Sequence, residues 1–194
     1  MIKLNVVIFN GSLKHQTQLG PIQVAIEQEF KSRNMKTDSF VMNQIKIISC
    51  TGCFKCWDTT PGICTGVKGD AGEEIKKKVV NCDLMVLLTP ITFGGYSSEL
   101  KKIIERLLGT LHPGVQIIDG ETHHLKRYDS YPSILAIGIS ENSDEDEEEL
   151  FKTLIYRHSL NFYPPVYKTH IIKKDEEVRQ DRIKQMIDEM ELKK

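Results

Sequence analysis

The 194-residue chain has no apolar run near the ~18–20 residues that cross a bilayer. Its opening apolar stretch, residues 2–9, is too short for an export signal and leads into Asn10-Gly11-Ser12 rather than a small-residue cleavage site. No membrane partner and a cytoplasmic location are therefore expected. The chain also lacks a basic stripe: Lys and Arg number 26 against 27 Asp and Glu, for a net charge of -1. Stacking aromatics are few, at 7% with one Trp. Together these exclude nucleic acid as an expected partner. Four chemical signatures are missing as well: G-x-G-x-x-G, G-x₄-G-K-[ST], G-x-S-x-G and H-E-x-x-H. No catalytic nucleophile or acid–base dyad is expected from them. Apolar residues at 40% with charged residues at 27% are enough for a packed core, and the length fits one domain spanning residues 1–194.

What the chain does have is a dense group of thiols. Cys50, Cys53, Cys56 and Cys64 fall in a C-x₂-C-x₂-C-x₇-C pattern, and Cys82 stands apart. Without an export signal, disulfides explain such a group poorly. The open alternatives are an iron–sulfur cluster, a zinc ion, a thiol redox pair and a cluster-free relic. Two x₂ steps allow three thiolates to grip three corners of a cubane, with a fourth closing it. Zinc more often uses two separated C-x₂-C pairs, and a second pair is absent. Gly52 eases the turn between the first two thiols. Pro61-Gly62 suits the centre of a type II turn that brings Cys64 back. Cys82, between a helix and a strand, reads as a buried structural cysteine.

Strand and helix alternate along the chain. Residues 2–9, 83–88 and 133–139 are near-continuous apolar runs, as strands buried on both faces are. Weaker strands are expected at 38–42, with 45–48 as an extension or replacement, and at 166–172. Helices are expected at 17–32, 72–80, 99–111 (capped by Ser97 or Ser98), 143–161 and 175–192. Residues 112–132 read as irregular, with turns at Pro113-Gly114, Asp119-Gly120 and Tyr131-Pro132. Lys76-Lys77-Lys78 reads as a solvated helix face. The acids from Asp144 onward suit a helix N-terminus. This alternation implies an α/β fold with an open, mostly parallel sheet and helices on both faces. Its ligand crevice then lies at the carboxyl ends of the first and third strands.

Both of those exits are informative. Ser12, Lys14, Gln16, Thr17 and Gln18 place polar groups where a helix N-terminus offers free N–H groups, which is a phosphate site. Without dinucleotide or P-loop glycines, a mononucleotide is the expected owner of that phosphate. Residues 89–96 join the third strand to its helix. There Gly94 and Gly95 permit close approach to a flat ligand, which Ile91, Thr92 and Phe93 could line.

These two loops and Cys50-Thr-Gly-Cys-Phe-Lys-Cys-Trp57 with Thr60-Pro-Gly-Ile-Cys64 resemble the flavodoxin-like NAD(P)H-dependent FMN reductases, particularly the iron–sulfur flavoprotein branch. The likeness covers residues 1–106 and resumes through 120–132 and the strand after it. It implies a flavodoxin-like, doubly wound, five-stranded parallel sheet in the order 2-1-3-4-5. It implies FMN, with Ser12, Lys14, Gln16, Thr17 and Gln18 at the phosphate and Pro90, Ile91, Thr92, Phe93 and Gly94 beside the ring. NAD(P)H would deliver hydride to flavin N5, and an unidentified small-molecule or protein acceptor would take the electrons. Cys50, Cys53, Cys56 and Cys64 match the [4Fe–4S] ligands of that branch, and a homodimer or homotetramer is implied. Trp57 would shield the site or plug the loop from beneath, while His123 and His124 would border the active site. Beside this reading stand a non-enzymatic flavodoxin-like electron carrier and a Cys₄ zinc module on the same scaffold. A thiol sensor using Cys53 and Cys56 fits the spacing poorly.

Overall fold

A computed structural model of the chain describes residues 3–14, 18–141 and 143–192. Its centre is a five-stranded sheet of β1 (Asn5–Asn10), β2 (Lys36–Val41), β3 (Leu84–Pro90), β6 (Ser133–Ser140) and β7 (Tyr167–Lys173). The spatial order is β2-β1-β3-β6-β7 and every pairing is parallel. This is the expected 2-1-3-4-5 arrangement in the flavodoxin-like manner. The helices are α1 (Leu19–Ser32), α2 (Gly72–Val80), α3 (Ser98–Arg106), α4 (Glu145–Phe162) and α5 (Gln180–Asp188).

The pleat of β1 explains why both faces need helices. Val6 and Ile8 point into a core shared with Ile22 and Ile26 of α1 and Ile183 of α5. Val7 and Phe9 point the other way, into a core shared with Ile75 of α2, Ile103 of α3 and Phe151 of α4. Every residue of β3 and β6 is buried. Burying each large aliphatic side chain contributes ~1.5–3 kcal/mol, so these central strands anchor both layers. Cys82 is buried as expected. Its thiol donates to the Val79 carbonyl at 3.2 Å, and burial pushes its pKa up to about 12.

Five expectations need correction. Residues 112–132 are not simply irregular: β4 (Leu111–Ile118) and β5 (Glu121–Lys126) form an antiparallel hairpin. Asp119 (φ 49°) and Gly120 (φ 82°) turn it, both in the left-handed region that tight hairpins require. Residues 45–48 pair with no strand. They follow a short 3₁₀ turn at Met42–Gln44, and the Ile47 side chain packs into the core instead. Lys76 is not solvated. Its ammonium pairs with Glu73 at 2.7 Å and donates to the Gly62 carbonyl, leaving the side chain 3% exposed. The C-terminal helix is also shorter than 175–192, and α3 gives way to a 3₁₀ turn at Leu107–Thr110.

Candidate functional site

Because the strands are parallel, their carboxyl ends share one edge, and β1 and β3 are neighbours there. The β1–α1 loop is fastened to the start of α3. Gly11 donates to the Leu88 carbonyl at 2.7 Å, and Ser97 Oγ donates to the Gly11 carbonyl at 2.6 Å. A Cβ on Gly11 would lie 2.8 Å from Ser97 Oγ and 2.9 Å from Leu100 Cβ, so only glycine lets the loop pass. Ser97 also caps α3, accepting from Leu100 N at 3.2 Å. Asn10 then shapes the loop from within. Its Oδ1 accepts from the backbone N–H and the hydroxyl of Ser12, and its Nδ2 donates to Gln23 at 2.7 Å. Asn43 Nδ2 holds the Ser12 carbonyl at 2.9 Å.

Around this loop lies a cleft of about 480 Å³ lined by Asn10, Ser12, Lys14, Gln23 and Asn43. Lys14 is exposed and Gln18 half-buried, while Gln16 and Thr17 lie outside the described residues. Gln18 precedes α1 but its side chain makes no cap, and the first turn of α1 carries no acid. Side chains cap α3 and α4, while α2 and α5 carry acids in their first turns. Among the described residues, then, no side-chain cap and no first-turn acid compensates the α1 N-terminus, and a lysine lies nearby. These residues fit a phosphate group.

The β3–α3 loop is a tight turn. Thr92 and Gly95 exchange N–H···O bonds of 3.0 Å, leaving Phe93 (φ 50°) and Gly94 (φ 70°) at the tip. A Cβ on Gly94 would lie 2.6 Å from Leu150 Cβ. Phe93 holds a conformation unfavourable for a bulky residue and is 92% exposed. Pro90 and Ile91 are buried instead: Ile91 packs against Gly138 and donates its N–H to the Ile139 carbonyl at 2.8 Å. Of the five expected ring neighbours, Thr92, Phe93 and Gly94 are thus the ones presented at the loop tip. Beside them opens an apolar groove of about 770 Å³ between α3 and α4, lined by Phe93, Tyr96, Ile104, Leu150, Leu154 and His158. Tyr96 and His158 share a 2.8 Å hydrogen bond. Burial pushes the His158 pKa down to about 4, so the ring is neutral at neutral pH.

The cysteine loop is built differently. The Pro61-Gly62 turn forms as expected: Ile63 donates to the Thr60 carbonyl at 2.8 Å, and Gly62 has φ 81°. Beneath the loop, Arg106 pairs with Asp70 at 2.7 Å, with side chains 1% and 2% exposed. Asp70 also accepts from Ile48 N at 2.8 Å and Gly72 N at 3.2 Å, so one carboxylate fastens both ends of the loop. Burial pushes the Asp70 pKa up, but Arg106 and these N–H groups outweigh it and hold it below the usual value. Glu73 accepts from Cys64 N at 2.8 Å. Trp57 bonds the Leu108 carbonyl at 3.1 Å and stacks near His124 at 4.8 Å, which makes it the plug beneath the loop.

The four thiols are free, Cys53 exposed and the others half-buried. Burial, then the charge of Cys64, pushes the Cys56 pKa up; the Lys55 N–H and the Thr51 hydroxyl pull that of Cys53 down. Among the described residues, no three His, Cys, Asp or Glu side chains gather as a metal ion requires. The thiols therefore form no mononuclear metal site among the described residues. His123 and His124 sit on opposite faces of β5, since neighbours along a strand alternate, so they form no joint site.

Sequence reasoning missed Asn10, Asn43, the Tyr96–His158 pair and the buried cations Lys76 and Arg106. Only Asn10 had a local signal, a polar residue closing an apolar strand before Gly11.

A family model described as NADPH-dependent FMN reductase matches residues 4–117. No curated protein matches the chain. Among solved structures, the fold is similar to an NAD(P)H:quinone oxidoreductase from Methanothermobacter marburgensis (8% identity, 97% of this chain and 94% of that one, TM-score 0.64). It is also similar to an FMN-dependent NADH-azoreductase from Bacillus anthracis in complex with FMN (11%, 98% and 98%, 0.59). An NADH:FMN oxidoreductase is similar at 12% identity, covering 97% and 87%, with TM-score 0.61.

Proposed function

The chain belongs to the NADPH-dependent FMN reductase family and is an oxidoreductase, and from that premise we propose that it binds FMN across the β1–α1 and β3–α3 loops to pass electrons from NAD(P)H to a small-molecule acceptor. The observation that carries the site assignment is the α1 N-terminus, which among the described residues has neither a side-chain cap nor a first-turn acid and lies beside Lys14 and a polar cleft. Bound there, FMN would supply the redox chemistry, accepting a hydride equivalent and returning its electrons.

The protein's part is binding and orientation. The α1 N–H groups and Lys14 hold the phosphate, with Ser12, Gln16, Thr17 and Gln18 completing the loop. Asn10, Gln23 and Asn43 keep that loop in one shape before ligand arrives, which lowers the ordering cost of binding. Thr92, Phe93 and Gly94 border the ring, Phe93 offering an aromatic face. The groove behind Phe93 is mostly apolar and suits a flat aromatic acceptor such as a quinone or azo compound. The cysteine loop carries no step in this reading.

Titrating flavin-free protein with FMN and with riboflavin tests the assignment. FMN should bind at least ~10-fold tighter, since a phosphate at a helix N-terminus with a lysine adds charge-assisted bonds. Equal affinity for the two flavins would remove the phosphate site from the account.

A further inference from the structure

The β4–β5 hairpin leaves one of its two edges open. On β5, His124 donates its N–H to Asn161 Oδ1 at 3.4 Å, and its carbonyl accepts from the Tyr163 hydroxyl. Both His124 backbone groups therefore point away from β4, and α4 with the residue after it closes that edge. His124 faces Val115 in the ladder, and Thr122 faces Ile117. In an antiparallel ladder, opposite residues point their backbone groups the same way relative to the pair. Val115 and Ile117 thus present N–H and C=O outward from β4, where no other described strand pairs with them.

The side chains at this open edge are apolar. Val115 is 57% exposed and Ile117 is 70% exposed. Across the hairpin, on the same face as both, lies His124. Its ring is 4.8 Å from that of Trp57, which stacks 5.2 Å from Phe54, itself 51% exposed. An apolar band therefore runs from the cysteine loop to an unpaired strand edge, the combination that templates pairing with another strand.

The ends of the hairpin carry opposite charge. Asp119 sits at the turn and makes no ion pair among the described residues, while Lys126 stands exposed near the other end. We propose that β4 pairs antiparallel with β4 of a second copy of this chain about a two-fold axis at Gln116, making a four-stranded sheet. In that register Val115 faces the partner's Ile117, both with outward backbone groups, so the hydrogen-bond parity is satisfied. The turn of each copy, with its Asp119, reaches the His112 end of the other, and the contact occurs twice, as an isologous interface requires. A register centred elsewhere on the strand would leave Val115 or Ile117 without an apolar partner. The two apolar bands meet on one face of the joined sheet. This inference rests on the hairpin alone and does not depend on the flavin reading.

Sedimentation of the full-length protein tests it. The wild type should carry two chains, or four if a further interface exists, and Ile117→Lys should halve that mass with an unchanged far-ultraviolet circular dichroism spectrum. The exposure of Ile117 makes loss of folding no part of the expectation, and Val115→Lys repeats the test at the neighbouring site. Mild oxidation of Gln116→Cys should link two copies through the introduced thiols, because facing residues at the axis are ~4.5 Å apart between Cα atoms, within disulfide range. Single chains in the wild type, or an undiminished mass in both lysine variants, would overturn the interface. Absence of the link in a two-chain protein would overturn the register.

Discussion

Replacing Asp70 with Asn should destabilise the chain by ~3–5 kcal/mol, because it leaves the Arg106 guanidinium buried without its counter-charge. Asn keeps the shape and can accept from one of the Ile48 and Gly72 N–H groups, so lost packing contributes little. At ~2–4 °C per kcal/mol for a chain of this size, the midpoint should fall by ~6–20 °C. Urea titration read by Trp57 fluorescence would follow it, since that indole is tied to the Leu108 carbonyl beside the loop. Arg106→Met should be similarly harmful, and the double variant should recover much of the loss, because neither position then holds a buried unpaired charge. The pH response has a definite sign. The Asp70 pKa is lower in the folded state, so its stabilisation is complete above the unfolded value of ~3.9 and disappears as pH falls through the folded one. A loss under ~1 kcal/mol for Asp70→Asn, or additive single and double variants, would refute the view that this pair fastens the cysteine loop.

Three other perturbations separate the parts of the account. Lys14→Gln should weaken FMN binding several-fold and leave riboflavin binding unchanged, as parallel titrations would show. Gly94→Ala should destabilise by ~1–3 kcal/mol on thermal melting, through its φ of 70° and the approach to Leu150, whereas Phe93→Asn should hold stability within ~1 kcal/mol and lower turnover with quinones. His158→Gln should flatten the acid limb of stability between pH 6.5 and about 4: a neutral buried histidine loses ~1.4 kcal/mol per pH unit there, up to ~3 kcal/mol, and His170, also pushed down by burial, keeps its own part.

The elements that were legible in the sequence are those whose environment is uniform. Residues 83–88 and 133–139 read as strands because, past a polar first residue, each is a continuous run suited to burial on both faces. The helix Gly72–Val80 was legible to its ends, since Glu73 and Glu74 open it and Lys77 and Lys78 close it. The hairpin was hidden by Pro113 and by a half-polar ladder of Gln, Thr and His, although Asp119-Gly120 between alternating residues was a usable signal. Lys76 misled because burial among like neighbours depends on Glu73 and on the Gly62 carbonyl, fourteen residues away. At the site, the polar loop between β1 and α1 was legible because a helix start follows an apolar strand. The burial of Pro90 and Ile91 was not, because it depends on the distant β6, where Pro90 faces Ile139 and Ile91 packs at Gly138.

The most direct test of the central claim is the visible spectrum of protein purified without oxygen, with the released flavin identified after denaturation. The account predicts the twin bands of a bound flavin and about one FMN released per chain. Colourless protein that also refuses added FMN would contradict it.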